Sequence, residues 1–124
     1  MKNTIDWFQI PVSDMDRAIK FYKTILSADL HAIDMNGAQV AVLPHERENG
    51  GVGGALYAGH GYTPSANGTV VLLHGGKDLS NVLSRVEAAG GKIILPKTGL
   101  NNNSGFIARF IDSEGNQVGL HSSN

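Results

Sequence analysis

Ile5-Asp6-Trp7-Phe8-Gln9-Ile10-Pro11-Val12-Ser13-Asp14 decides how the rest of this 124-residue chain is read. Its side chains alternate as in a strand. Phe8, Ile10 and Val12 fall on one face, and Ile5, Trp7, Gln9 and Pro11 on the other. Ser13 and Asp14 are good caps for a helix, and Ser13 with Asp16 makes a variant of the capping box. Ala18, Phe21, Tyr22, Ile25 and Leu26 follow at spacings of three and four, which predicts a helix over 15–26 with one apolar stripe.

Beyond the helix, three short strand candidates follow at 30–35, 38–43 and 52–58. Asn36-Gly37 between the first two is a hairpin signal. Residues 44–51 read as a surface loop, and 59–68, with Pro64, Ser65 and Asn67, as a connection whose Tyr62 and Ser65 could form a rim. The same order then begins again. Residues 69–74 are apolar on both faces, which predicts a central strand. Asp78 caps a second helix carrying Leu79, Val82, Leu83 and Val86, and Gly90-Gly91 ends it. A strand over 92–96, a loop over 97–104 and strands over 106–111 and 117–122 complete the chain, the last two joined by the turn-rich Asp112–Asn116.

The expectation is therefore one α+β domain over 1–124, built from two βαβββ modules: the first over 4–58, a linker over 59–68, and the second over 69–122. A single such unit leaves a sheet face uncovered. Two of them bury it and leave a cleft between, where small molecules tend to bind.

The chain holds ten basic and eleven acidic residues for a net charge of −1, with no basic run, so nucleic acid is excluded as a partner. The absence of cysteine removes disulfide and thiolate chemistry. With no long apolar run and no apolar signal region, a soluble cytoplasmic protein without a membrane partner is expected.

Trp7-Phe8-Gln9-Ile10-Pro11-Val12, then Asp14, Arg17-Ala18 and Phe21-Tyr22, resembles the opening of the vicinal oxygen chelate superfamily. This fold is shared by glyoxalase I, extradiol dioxygenases, fosfomycin-resistance proteins and bleomycin-binding proteins. Phe110 through His121 looks like that family's closing hairpin. Gly53-Gly54-Ala55-Leu56, Tyr62-Thr63-Pro64-Ser65 and Glu87-Ala88-Ala89-Gly90-Gly91-Lys92 look like a subgroup described as predicted enzymes related to lactoylglutathione lyase. The resemblance implies two modules curled into a half-open barrel-like cup with helices outside, and a homodimer. In enzymatic members the cup holds a divalent metal.

Carried over one by one, the metal-ligand positions fall on Trp7, Thr69, Gly119 and either Gly54 or Ala55. None of these side chains suits such an ion, which needs imidazole or carboxylate donors. The expectation is no metal and no other cofactor. Strand phase and the resemblance instead direct Trp7, Gln9, Thr69, Ile107, Arg109 and His121 to a small-molecule ligand with an apolar body and an anionic or carbonyl group. Arg109 is the sharpest candidate, a guanidinium in the otherwise apolar Phe106–Ile111 that needs compensation. A bound carboxylate or phosphate would supply it, as would a salt bridge to Asp6 or Glu114.

Two enzymatic alternatives stand beside binding. One is a metal-free lyase or isomerase with His121 as base and Arg109 as clamp; the other is a metal lyase with ligands elsewhere. A cup plugged by its own side chains is a further alternative. His74 reads as a cap or turn residue, and His31, His45 and His60 as solvated surface. Gly53-Gly54 lacks the context of a phosphate loop.

Overall fold

Two four-stranded sheets and two helices make up the computed structural model, which describes residues 2–124. The first module runs β1 (Trp7–Pro11), α1 (Met15–Leu26), β2 (Ala32–Met35), β3 (Ala38–Val42) and β4 (Gly53–Ala58). The second runs β5 (Val71–His74), α2 (Ser80–Leu83), β6 (Lys92–Gly99), β7 (Phe106–Ile111) and β8 (Gln117–Ser122). Strand order is β1-β4-β3-β2 in one sheet and β5-β8-β7-β6 in the other. The first strand of each module is parallel to the last, and the remaining pairings are antiparallel. The internal repeat is thus a repeat of topology. Among the described residues no strand joins the two sheets, so they do not close into a barrel.

Alternation along each strand separates a helix face from an open face. Ile10, Val12, Leu56, Leu73, Ala108, Phe110, Val118 and Leu120 join Ala18, Phe21, Tyr22 and Ile25 of α1 and Leu79, Val82 and Val86 around α2 in one buried core. Each fully buried Leu, Val or Phe among them contributes about 1.5–3 kcal/mol of hydrophobic stabilisation.

Four expectations are corrected. The strand over 69–74 is not central: β5 pairs only with β8 and forms a sheet edge. It is apolar on both faces because one packs in the core and the other borders a cleft. Regular helix in α2 covers only Ser80–Leu83. Beyond it the chain continues in tight turns, with Arg85 and Val86 donating to Val82 and Leu83, until Gly90 takes φ 109°. β6 runs on to Gly99, with two register irregularities, one of them spanning Pro96. At the start of α1 the cap is Asp14 alone, its carboxylate accepting from the Arg17 amide at 3.1 Å.

The turn that closes the second module also holds the first. Glu114 accepts from the amides of Ser13 and Asp14 at 2.9 and 2.8 Å, and the Arg17 guanidinium donates to it at 2.7 Å. At the other end of α1, Arg85 donates to the Ile25 carbonyl at 3.0 Å. An anion at the amino end and a cation at the carboxyl end oppose the helix dipole and satisfy its bare amides and carbonyls. Asn116 donates to the Pro11 carbonyl at 2.7 Å and accepts from the Ser65 amide at 3.0 Å. Asp112, buried, accepts from Tyr22 Oη at 2.6 Å and from the amides of Glu114 and Asn116. Burial first, and Asp112 second, push the Tyr22 phenol well above its ordinary range. Asp112, Gly115 and Asn116 therefore act as turn and latch residues.

Candidate functional site

The open face of the first sheet is an aromatic wall. The register sets Trp7 beside Gly53 and Pro11 beside Tyr57. From there the Trp7 indole reaches along the strands to donate its Nε1–H to Tyr57 Oη at 3.0 Å. Tyr57 in turn packs on Tyr62, ring centres 5.1 Å apart, and His45 meets Trp7 edge to face at 5.6 Å. His45 is thus no solvated surface residue. Its ring lies where a Gly53 side chain would stand, with a built Cβ only 2.5 Å away. On the helix face Phe8 does the same to Gly54, at 2.4 Å. The two glycines let rings cross β4 on both faces, which is why the pair has no phosphate-loop geometry.

Between the edges of β1 and β5 lies a cavity of about 990 Å³. Its walls are mainly apolar, with Ile5, Trp7, Phe8, Leu43, Val52 and Leu72 prominent. That volume is at the upper end for a small-ligand site. A second cavity of about 200 Å³ adjoins it, and Gln9, Thr63, Asn67 and Gln117 are among its lining residues.

The expected site residues are dispersed around these spaces. Trp7 lines the large cavity, Gln9 the small one, and Thr69 both. Arg109 and Ile107 occupy β7 in the open-face phase, and neither belongs to either lining. Arg109 makes one side-chain contact among the described residues, Nη1 to Gln117 Oε1 at 3.5 Å, and its Nε is buried without a partner. The salt bridge to Asp6 or Glu114 is not formed; Glu114 is committed to Arg17. His121 lies at the far end of β8, where Nε2 donates to the Ser104 carbonyl at 2.7 Å. His74 accepts from the Gly76 amide at 3.0 Å, as a turn residue does. His45 and Tyr57 are the partners of Trp7 that the sequence reading missed; neither lines either cavity. The Gly53-Gly54 pair was the available signal, since glycine inside a strand marks a close approach.

Hydrogen bonds of the internal repeat correct one alignment. The Val12 amide donates to Tyr57, and the Gly75 amide to His121, at matching ends of the two modules. Counting back equally from Val12 and Gly75 pairs Trp7 with Val70 rather than Thr69. Counting back equally from Tyr57 and His121 pairs Ala55 with Gly119. The positions at which the resemblance implies metal ligands thus hold indole, isopropyl, methyl and hydrogen. Above Gly119 the space is taken by Leu72, whose Cγ would lie 2.9 Å from an added Cβ. Among the described residues no three His, Asp or Glu side chains are grouped to hold a metal ion. This donor set does not fit a divalent metal.

Two mixed sheets of this order, flanking a cleft, define the class of paired βαβββ proteins. Within that class, the model of the Glyoxalase/Bleomycin resistance protein/Dioxygenase superfamily matches residues 4–120, and the chain belongs to this superfamily. Similar solved structures include a glyoxalase I variant from Zea mays, 23% identical with a TM-score of 0.68 over 95% of this chain and 45% of that one. A glyoxalase/bleomycin resistance protein/dioxygenase family enzyme from Burkholderia phytofirmans is 13% identical, with a TM-score of 0.68 over 97% of this chain and 100% of that one. The trypanothione-dependent glyoxalase I of Leishmania major is 20% identical, with a TM-score of 0.67 over 98% and 88%. These likenesses establish the fold. The chain spans less than half the length of the maize protein. No curated protein matches the sequence. Among the described residues no helix is long and apolar enough to cross a membrane.

Proposed function

We propose that this protein binds a small organic ligand without a metal ion, and that the ligand joins an apolar body to an anionic group. The body lies in the large cavity, packed on Trp7. Arg109 holds the anion, Gln9 and His121 orient it, and Thr69 and Ile107 complete the contacts. The observation that carries the reading is Arg109: its Nε is buried and unpartnered, and no carboxylate lies within salt-bridge range among the described residues. A guanidinium so placed favours a bidentate acid. The apolar cleft supports the rest, since a few polar groups beside a largely apolar concavity suit ligand binding. His121 has Nδ1 left for a ligand, its Nε2 being engaged by Ser104.

Replacing Arg109 by alanine should weaken binding of a medium-chain carboxylic acid by about 1.5–3 kcal/mol, the scale of a charged hydrogen bond. Isothermal calorimetry on the wild type and Arg109→Ala measures this. Equal affinities would remove Arg109 from the site. The proposal includes a homodimer as the working form and the cytoplasm as its setting.

A further inference from the structure

The two cavities touch, and their chemistries differ. Thr69 and Val71 belong to both linings, so the spaces meet along the first residues of β5 and the segment before it. The large cavity presents hydrocarbon and indole. The small one presents the amides of Gln9 and Asn67 and the hydroxyls of Thr63 and Thr69. Among the described residues these four side chains make no hydrogen bond, whereas neighbouring Asn116 is fully engaged. Among the described residues no Asp, Glu, Lys or Arg side chain lines either cavity. The small cavity is therefore a neutral donor-and-acceptor pocket. Behind it Gln117, which donates to the Ala66 carbonyl, meets Arg109.

We infer that the two cavities form one bipartite site for an amphiphilic acid with a neutral amide between its apolar body and its carboxylate, the chemistry of an N-acyl amino acid. The inference rests on the reading that Arg109 receives the anion. The acyl chain fills the large cavity, and the amide passes Thr69 into the small one. There its N–H and carbonyl meet Gln9, Thr63 and Asn67, and the carboxylate is left toward Gln117 and Arg109. A plain fatty acid would strip water from the same polar groups and return nothing, and unpaired polar groups are costly.

Trp7, the only tryptophan, lines the large cavity and reports occupancy by its fluorescence. The probes are N-decanoylglycine and tridecanoate, the same acid with two methylenes in place of the amide, both below micelle-forming concentrations. N-decanoylglycine should bind about tenfold more tightly, the yield of one or two net hydrogen bonds. That ratio should fall toward unity in Gln9→Met/Thr63→Val, two exposed positions where folding is not at stake. Equal affinities for the two acids, or a ratio that survives in the double variant, overturns the bipartite site and leaves the apolar cleft standing. No Trp7 response and no calorimetric heat with either acid overturns both readings.

Discussion

At Gly53 and Gly54 a single hydrogen atom on each side of β4 governs the packing. His45 on the open face and Phe8 on the helix face both lie inside the radius of a methyl group. They differ in what stands behind them. Both rings are half-buried, but Phe8 packs against the core, whereas His45 sits on the open face beside Trp7, its Nδ1 3.1 Å from the Leu43 carbonyl. Gly54→Ala should therefore destabilise by about 1–3 kcal/mol, as overpacking does, and Gly53→Ala by less. Urea midpoints of the two variants measure the difference, and the opposite order would show that Phe8 has room to move. The glycine pair and the lone arginine of Phe106–Ile111 were both visible as anomalies in the sequence. The partners that explain them were not. His45 follows Pro44 in a polar stretch and reads as surface until β1 and β4 bring Trp7 beside it. Arg109 could be paired on paper with Glu114 until that carboxylate proved to hold Arg17.

Among the elements, α1, β7 and β8 agree with the sequence reading at both ends, α1 because a capping Asp14 and an uninterrupted apolar stripe bound it locally. The second helix is regular only over Ser80–Leu83, and its apolar pattern runs on into turns at Val86. Even α1 depends on distant groups. Burial of Glu114 acts to raise its pKa, but hydrogen bonds from Arg17, the Asp14 and Ser13 amides and Ser113 outweigh it and leave the value lowered. A lowered folded value means that Glu114 stabilises above its unfolded value of 4.5, and that this contribution is lost as pH falls through the folded one. Asp78 acts in the same direction, held to about 2 by the Ser80 amide and Lys97. Wild-type stability should thus fall as the solution is taken from about pH 5 to about pH 3. Glu114→Gln should be less stable near neutrality and lose less over that interval. Urea titrations at the two ends check this, and an equal loss in both proteins would show that Glu114 does not govern the acid limb.

For the molecule as a whole, the order of elements announced the topology: a strand–helix–three-strand sequence stated twice. That the sheets stay separate, with β5 at an edge, depends on backbone pairing that side-chain patterns do not encode. An apolar outer face of β5 looked like the mark of a buried strand and proved to be a cleft wall. The same ambiguity applies to Ile33, Met35 and Val42, which share the open-face phase of the first sheet and are 49%, 50% and 39% exposed. Apolar groups so grouped favour association, and the proposed homodimer would cover them. Sedimentation should give twice the 13.1 kDa chain mass, and Ile33→Asp/Met35→Asp should return the single-chain value. A wild type that sediments as one chain, or a double variant that stays paired, would set this face aside.

The contacts that Glu114, Arg85 and Asn116 make with the opposite half have one more implication. Each is a short-range bond between groups that carry no record of which polypeptide supplied them. Neither half keeps all of these bonds alone, since the first helix would lose Glu114 at its amino end and Arg85 at its carboxyl end. Yet two chains could trade halves and keep the bonds of Glu114, Arg85 and Asn116 to Ser13, Asp14, Arg17, Ile25 and Pro11, with the segment over 59–68, which carries Asn116's partner Ser65, rerouted. Reciprocal exchange is therefore nearly isoenergetic in contacts, and the stiffness of that connecting segment would govern whether it occurs.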